Sequence, residues 1–125
     1  MGGNADMARY AFIDSDTTDK PFTEDEWRQM LIARGYVSPY PALIERDIGN
    51  GRKLFWVSTS AQASILDDKL YIVEGYLARR EPDGTSPKGF SFAFDLYPSD
   101  KTIKQGMIEL LVKYESVLMQ FKPSE

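Results

Sequence analysis

Towards the end of the chain, Ile103, Met107, Leu110, Leu111, Tyr114, Val117, Leu118 and Phe121 fall on one stripe when each residue is turned by about 100°. The pattern predicts a long amphipathic helix, opened by Ser99 or Asp100 just after Pro98 and closed by Lys122-Pro123. Gly106 sits at the edge of the stripe. There a glycine costs about 1 kcal/mol against alanine, so a close approach of the helix backbone to its neighbour is expected. A second apolar set, Ile108, Val112 and Met119, lies apart from the stripe. A helix with two apolar faces is buried on both or joins a partner. These three residues are therefore the candidate interface, and a second copy of the chain is the simplest partner.

An earlier helix is announced by its cap. Thr23 followed three residues later by Glu26 makes a capping box, and Phe22 with Trp27 makes a hydrophobic staple. Glu24 and Asp25 suit the positive end of the helix dipole. The helix should run to about Arg34, stop at Gly35 and bury Trp27, Met30 and Leu31.

Between the helices the period changes to two. Tyr36 to Ala42 contains Pro39 and Pro41 and reads as extended linker. Leu43–Ile48 and Arg52–Ser58 flank Asn50-Gly51, a two-residue hairpin signal. A simple type I′ hairpin puts Ile44, Ile48, Phe55 and Val57 on one face. Leu43, Leu54 and Trp56 then lie on the other, beside Glu45 and Asp47. Thr59 to Lys69 reads as a connection rich in small residues. Leu70–Arg80 is a long strand, residues 81–89 are a loop, and Phe90–Tyr97 returns with Phe90, Phe92 and Phe94 on one face. The expected fold is α+β: a four-stranded antiparallel sheet built from two hairpins, one helix before it and one long amphipathic helix after it. Arg9–Ile13, with Tyr10 and Phe12 on one side, is the candidate fifth strand. The 125 residues fit one domain, with about residues 1–7 as a flexible tail.

Strand Leu70–Arg80 is apolar on both faces: Ile72, Tyr76 and Ala78 on one, Tyr71, Val73 and Leu77 on the other. Both faces of the sheet therefore need cover, from a helix on each or from a pocket or a partner on one. The candidate pocket lies between sheet and helix, with Trp56, Tyr71 and Tyr76 as aromatic walls and Glu45 and Glu74 as polar groups.

Composition narrows the chemistry. The chain has no histidine and no cysteine, which removes the commonest general base, the usual nucleophile–base pairs and most transition-metal ligands. No cofactor and no metal are expected. Nineteen acidic against 15 basic side chains give a net charge of −4, and the basic residues are scattered, so nucleic acid is not an expected partner. No apolar run approaches the roughly 20 residues that span a bilayer, and Met1 to Ala11 lacks the basic start and apolar centre of a signal peptide. A cytoplasmic location is the default reading.

One string looks enzymatic. Phe12-Ile13-Asp14-Ser15-Asp16-Thr17-Thr18 resembles the first motif of the haloacid dehalogenase phosphatases, an apolar strand followed by D-x-D-x-T, and Asp67-Asp68 after Ile65-Leu66 echoes that family's magnesium-binding pair. The resemblance implies Asp14 as nucleophile, Asp16 as acid/base and a parallel, Rossmann-like sheet. The resemblance covers only these short pieces, and the strand pattern predicts antiparallel hairpins instead. Asp14, Asp16 and Asp19 also approach a calcium loop, but Asp19 occupies the glycine position and Asp25 the position of the bidentate glutamate. The leading expectation is a non-enzymatic binding module of the accessory, inhibitor or immunity type, acting as a homodimer or on another protein. The alternatives are a small-molecule-binding domain using the aromatic pocket and a magnesium-dependent phosphohydrolase.

Overall fold

The Asn50-Gly51 turn forms as its dipeptide dictates. A computed structural model describes residues 19–40, 42–93 and 102–122. In it Asn50 and Gly51 have φ of 57° and 75°, and Gly49 pairs with Arg52 across them. The elements run α1 (Glu24–Ala33), β1 (Val37–Tyr40), β2 (Leu43–Gly49), β3 (Arg52–Ala63), β4 (Leu70–Arg80), β5 (Lys88–Ala93) and α2 (Ile103–Gln120). The five strands form one antiparallel sheet in chain order, with a helix before and a long helix after. This is the α+β fold expected from the sequence.

One residue next to that turn reverses the expected faces of the hairpin. Asp47 pairs with Lys53 while Gly49 pairs with Arg52, so Ile48 is an extra residue on β2, beside Gly49 at φ 93°. The offset sets Ile44 opposite Trp56 and Arg46 opposite Leu54. Those side chains face the helices, and Glu45 and Phe55 face the other way. The simple hairpin had Ile44 beside Phe55 and Val57, and Glu45 beside Trp56. A slip of one residue moves every side chain of a strand to the opposite face.

The fifth strand is β1, not Arg9–Ile13, which lies outside the described residues. Val37–Tyr40 was expected as linker because of Pro39. Among the described strands it is the edge strand, pairing with β2 alone, and a proline is tolerated at an edge. Strand β3 also continues further than expected, to Ala63 opposite Leu70, through register shifts between Ser58 and Ala61. Strand β5 covers part of Phe90–Tyr97, and Phe94–Tyr97 lie outside the described residues. Where β5 ends, the segment before α1 takes over that edge of β4. Thr23 bridges Tyr71, and the Ile72 N–H donates to the Phe22 carbonyl at 2.9 Å.

Helix α1 has the full predicted start. The Thr23 hydroxyl accepts from the Glu26 N–H (3.1 Å), the Glu26 carboxylate accepts from the Thr23 N–H (3.0 Å), and the Phe22 and Trp27 rings lie 5.5 Å apart. Its end is Gly35 at φ 97°. Helix α2 is capped by Thr102, later than the Ser99 or Asp100 expected. Thr102 has Gln105 three residues on to close the box. Ser99 and Asp100, which lie outside the described residues, have Thr102 and Ile103 there.

Both helices pack on one face of the sheet. From α1, Trp27 meets Trp56 and Phe92 at ring distances of 5.2 and 5.4 Å. From α2, Tyr114 stacks on Phe90 at 4.4 Å and turns its edge to Phe92. Leu54, Leu77, Leu31, Met107, Leu111 and Leu118 complete the core. Gly106 is buried, as its place beside the stripe implied. The opposite face of the sheet carries no described helix.

Candidate functional site

The buried charges of this protein are committed to one another. On α2, Glu115 is 2% exposed and accepts from the guanidinium of Arg34 at the end of α1 (Nε, 3.1 Å), from Arg46 on β2 (Nη1, 3.4 Å) and from the Tyr36 hydroxyl (2.7 Å). Burial and the Glu115 hydrogen bond push the Tyr36 hydroxyl well above the ordinary tyrosine range, so it stays a donor. The same carboxylate raises the Arg34 guanidinium further. Glu115 thus ties α1, β2 and α2 together, and its oxygens are occupied.

A second cluster joins β3, β4 and the end of α2. Arg79 is 2% exposed. It donates from Nε to Glu81 and from Nη1 to the carbonyls of Leu118 (2.8 Å) and Phe121 (2.7 Å), and it lies 5.1 Å from the centre of the Phe121 ring. Helix α2 has no basic residue in its last turn, so Arg79 supplies from the sheet the positive charge that a helix C-terminus favours. Arg52 donates to the other oxygen of Glu81 at 2.8 Å. On the face turned away from the helices, Glu45 accepts from Lys53 (3.1 Å) and Arg80 (2.8 Å).

The predicted pocket residues do not gather in one place. Trp56 is in the core on the helix side. Glu74 and Tyr76 line a shallow hollow on the other side of the sheet, with Val57 and Ser91. Glu45 belongs to the ion-pair cluster on that same side, away from the helices. Tyr71 is at the far end of β4, its hydroxyl donating to Asp67. Burial, then that hydrogen bond, push the hydroxyl up to about 12. The bulge at Ile48 puts Glu45 on the opposite face from Trp56, and the β3–β4 pairing, with Trp56 opposite Leu77 and Val57 opposite Tyr76, does the same for Tyr76.

A different cavity does lie between helix and sheet. It has a volume of about 370 Å³ and is walled by Trp27, Leu31, Ile44 and Trp56, with Glu24, Asp25, Arg28 and Ser58 as its polar lining. Ser58 donates to Glu24 at 2.8 Å, and the Trp27 indole N–H is buried without an acceptor. The sequence pattern points to Trp56 as a pocket wall but to Trp27 only as staple and core. The acidic first turn of α1, one residue from that tryptophan, was the available signal.

The candidate interface residues are on the surface. Ile108, Val112 and Met119 are 38%, 45% and 39% exposed, on a helix whose opposite side is fully buried. Val117, expected in the buried stripe, falls at its outer edge and is also exposed.

The phosphatase resemblance loses its fold: the sheet is antiparallel, not parallel. Asp14 and Asp16 lie outside the described residues. Asp67 accepts from Tyr71 and from the Lys69 N–H and pairs with Lys20 at 3.6 Å. Among the described residues, no group of three or more acidic side chains is placed to hold a metal ion, and no helix is long and apolar enough to cross a membrane. Comparison with known protein families, curated proteins and solved structures gives no match.

Proposed function

We propose that this protein is a non-enzymatic binding module that works as a homodimer through the outer flank of α2. The observation that carries the reading is the exposure of Ile108, Val112 and Met119 together on one flank. Single exposed apolar residues are ordinary on protein surfaces, but an aligned set on a rigid helix is a surface built for contact. The set is also self-complementary. Ile108 and Met119 are about three turns apart with Val112 near the middle. An antiparallel pairing of two α2 helices about a two-fold axis therefore sets Ile108 of one copy against Met119 of the other.

Sedimentation of the wild type and of Val112→Glu tests this. The expected result is a dimeric wild type and a folded, monomeric variant with unchanged helix content by circular dichroism, because an unpaired charge buried in an interface costs several kcal/mol. A wild type that stays monomeric at high concentration overturns the reading.

A second reading is supported by the cavity beside α1. Its two tryptophans, its carboxylates and the unmatched Trp27 N–H have the composition of a small-molecule site. A small molecule retained in native mass spectrometry, and lost on Trp56→Ala, distinguishes this reading from the first.

A further inference from the structure

Arg79 has one edge left over. A guanidinium carries five N–H donors. Here Nε is used by Glu81, Nη1 by two carbonyls at the end of α2, and one face by the Phe121 ring. Nη2 is buried and has no hydrogen-bond partner. An unmatched buried donor costs free energy, more so on a charged group, and asks for an explanation. Arg79 also lines a cleft of about 480 Å³ between the β2–β3 turn and the last turn of α2. Arg52, Lys122 and Asn50 line it too, together with Met119 and Phe121. None of the residues lining it is acidic.

We propose that this cleft binds a small organic carboxylate, its charge held by Arg52, Lys122 and Arg79 and its apolar body resting on Phe121 and Met119. The charge of the lining calls for an anion. Arg52, Arg79 and Lys122 are opposed by Glu81 behind them and by the negative end of α2, worth about half a charge. The surplus, about +1.5, attracts an anion, and the apolar surfaces of Phe121 and Met119 suit one that carries an organic body. Arg79 is buried at the wall of the cleft and supplies its charge from there, while the more exposed Arg52 and Lys122 can meet the carboxylate directly, and charge-assisted hydrogen bonds of this kind are among the stronger polar contacts available.

The test uses the whole chain and 3-phenylpropionate as probe, with 3-phenylpropanamide as its neutral isostere and phenyl phosphate as the more highly charged comparison. Binding is followed by the backbone amide signals of Gly49, Asn50, Gly51 and Phe121. The acid should shift these saturably and bind at least about tenfold tighter than the amide. Asn50→Asp places a negative charge on the cleft while keeping an Asp-Gly turn, and should weaken the acid by about tenfold with the amide unchanged. Met119 also belongs to the α2 flank, so the titration is repeated on Val112→Glu to keep a dimer from hiding the cleft. The proposal is overturned if neither protein gives a saturable shift, if acid and amide bind alike, or if Asn50→Asp leaves acid binding unchanged. Tighter binding of phenyl phosphate overturns the assignment to a carboxylate.

Discussion

The ring of Trp56 lies directly on the backbone of Gly75: a Cβ built at position 75 would sit 2.1 Å from two of its carbons. The two residues are on neighbouring strands, where Ser58 pairs with Gly75 and Trp56 with Leu77. The glycine is required here for the space it leaves, since the indole is also held between Trp27 and Phe92.

Gly75→Ala is therefore expected to destabilise the protein by about 1–3 kcal/mol, the usual cost of overpacking a tight core. Chemical denaturation measures it. Combining it with Trp56→Phe, which withdraws the atoms that clash, should cost less than the sum of the two single changes. Strict additivity would show that the contact is not what limits position 75.

Glu115→Gln should cost roughly 2–3 kcal/mol. Breaking a buried ion pair typically costs about 3–5 kcal/mol. The lower figure follows because the Arg34 and Arg46 side chains are about a third exposed and recover some hydration. A double-mutant cycle with Tyr36→Phe should give a coupling of at least about 0.5 kcal/mol, because the Tyr36 hydroxyl donates to the same carboxylate. No coupling would remove Tyr36 from the cluster.

Acid should loosen the end of α2. The Arg52 hydrogen bond, opposed by desolvation and aided by Arg79, holds the Glu81 carboxyl below its ordinary value of 4.5. A carboxyl with a depressed folded value stabilises the fold above the ordinary value. That contribution disappears as pH falls through the lower folded value. Wild type should then lose stability below about pH 4.5 more steeply than Glu81→Gln does. Thermal midpoints of the two proteins across that range provide the comparison, and parallel curves would contradict it.

The elements governed by neighbours in sequence were legible in the chain. Thr23 with Glu26, Phe22 with Trp27, Gly35, the Asn50-Gly51 turn and the span of β4 all act over a few residues, and each formed as read. The edge strand was not legible, because Pro39 argues against a strand until it is known that the strand lies at the edge of the described sheet. Nor was the bulge. Nothing local says that Ile48 leaves the ladder; its side chain packs against the core cluster. That one residue set which side chains of β2 share a face with Trp56 and so parted Glu45 from it, whereas Tyr76 is parted from Trp56 by the β3–β4 pairing, which sets Trp56 opposite Leu77. Trp56 went to the helices while Glu45 and Tyr76 went to the other face. The exposed α2 flank was readable because helical period alone separates it from the buried stripe.

The matching of strand order to chain order bears on how the protein is made. Each strand pairs with the one just completed, so the sheet can grow from hairpin to hairpin with short loops to close, a topology that favours rapid folding. Helix α1 is the exception. Its Trp27 needs Phe92, and its Arg34 needs Glu115, 81 residues further on. During synthesis α1 precedes its partners: Trp27 can meet Trp56 once β3 has formed, but its packing is complete only after β5 and α2 have followed. Docking of α1 is thus the late, long-range event of folding, and the interval before it is when the nascent chain is most exposed to misassociation.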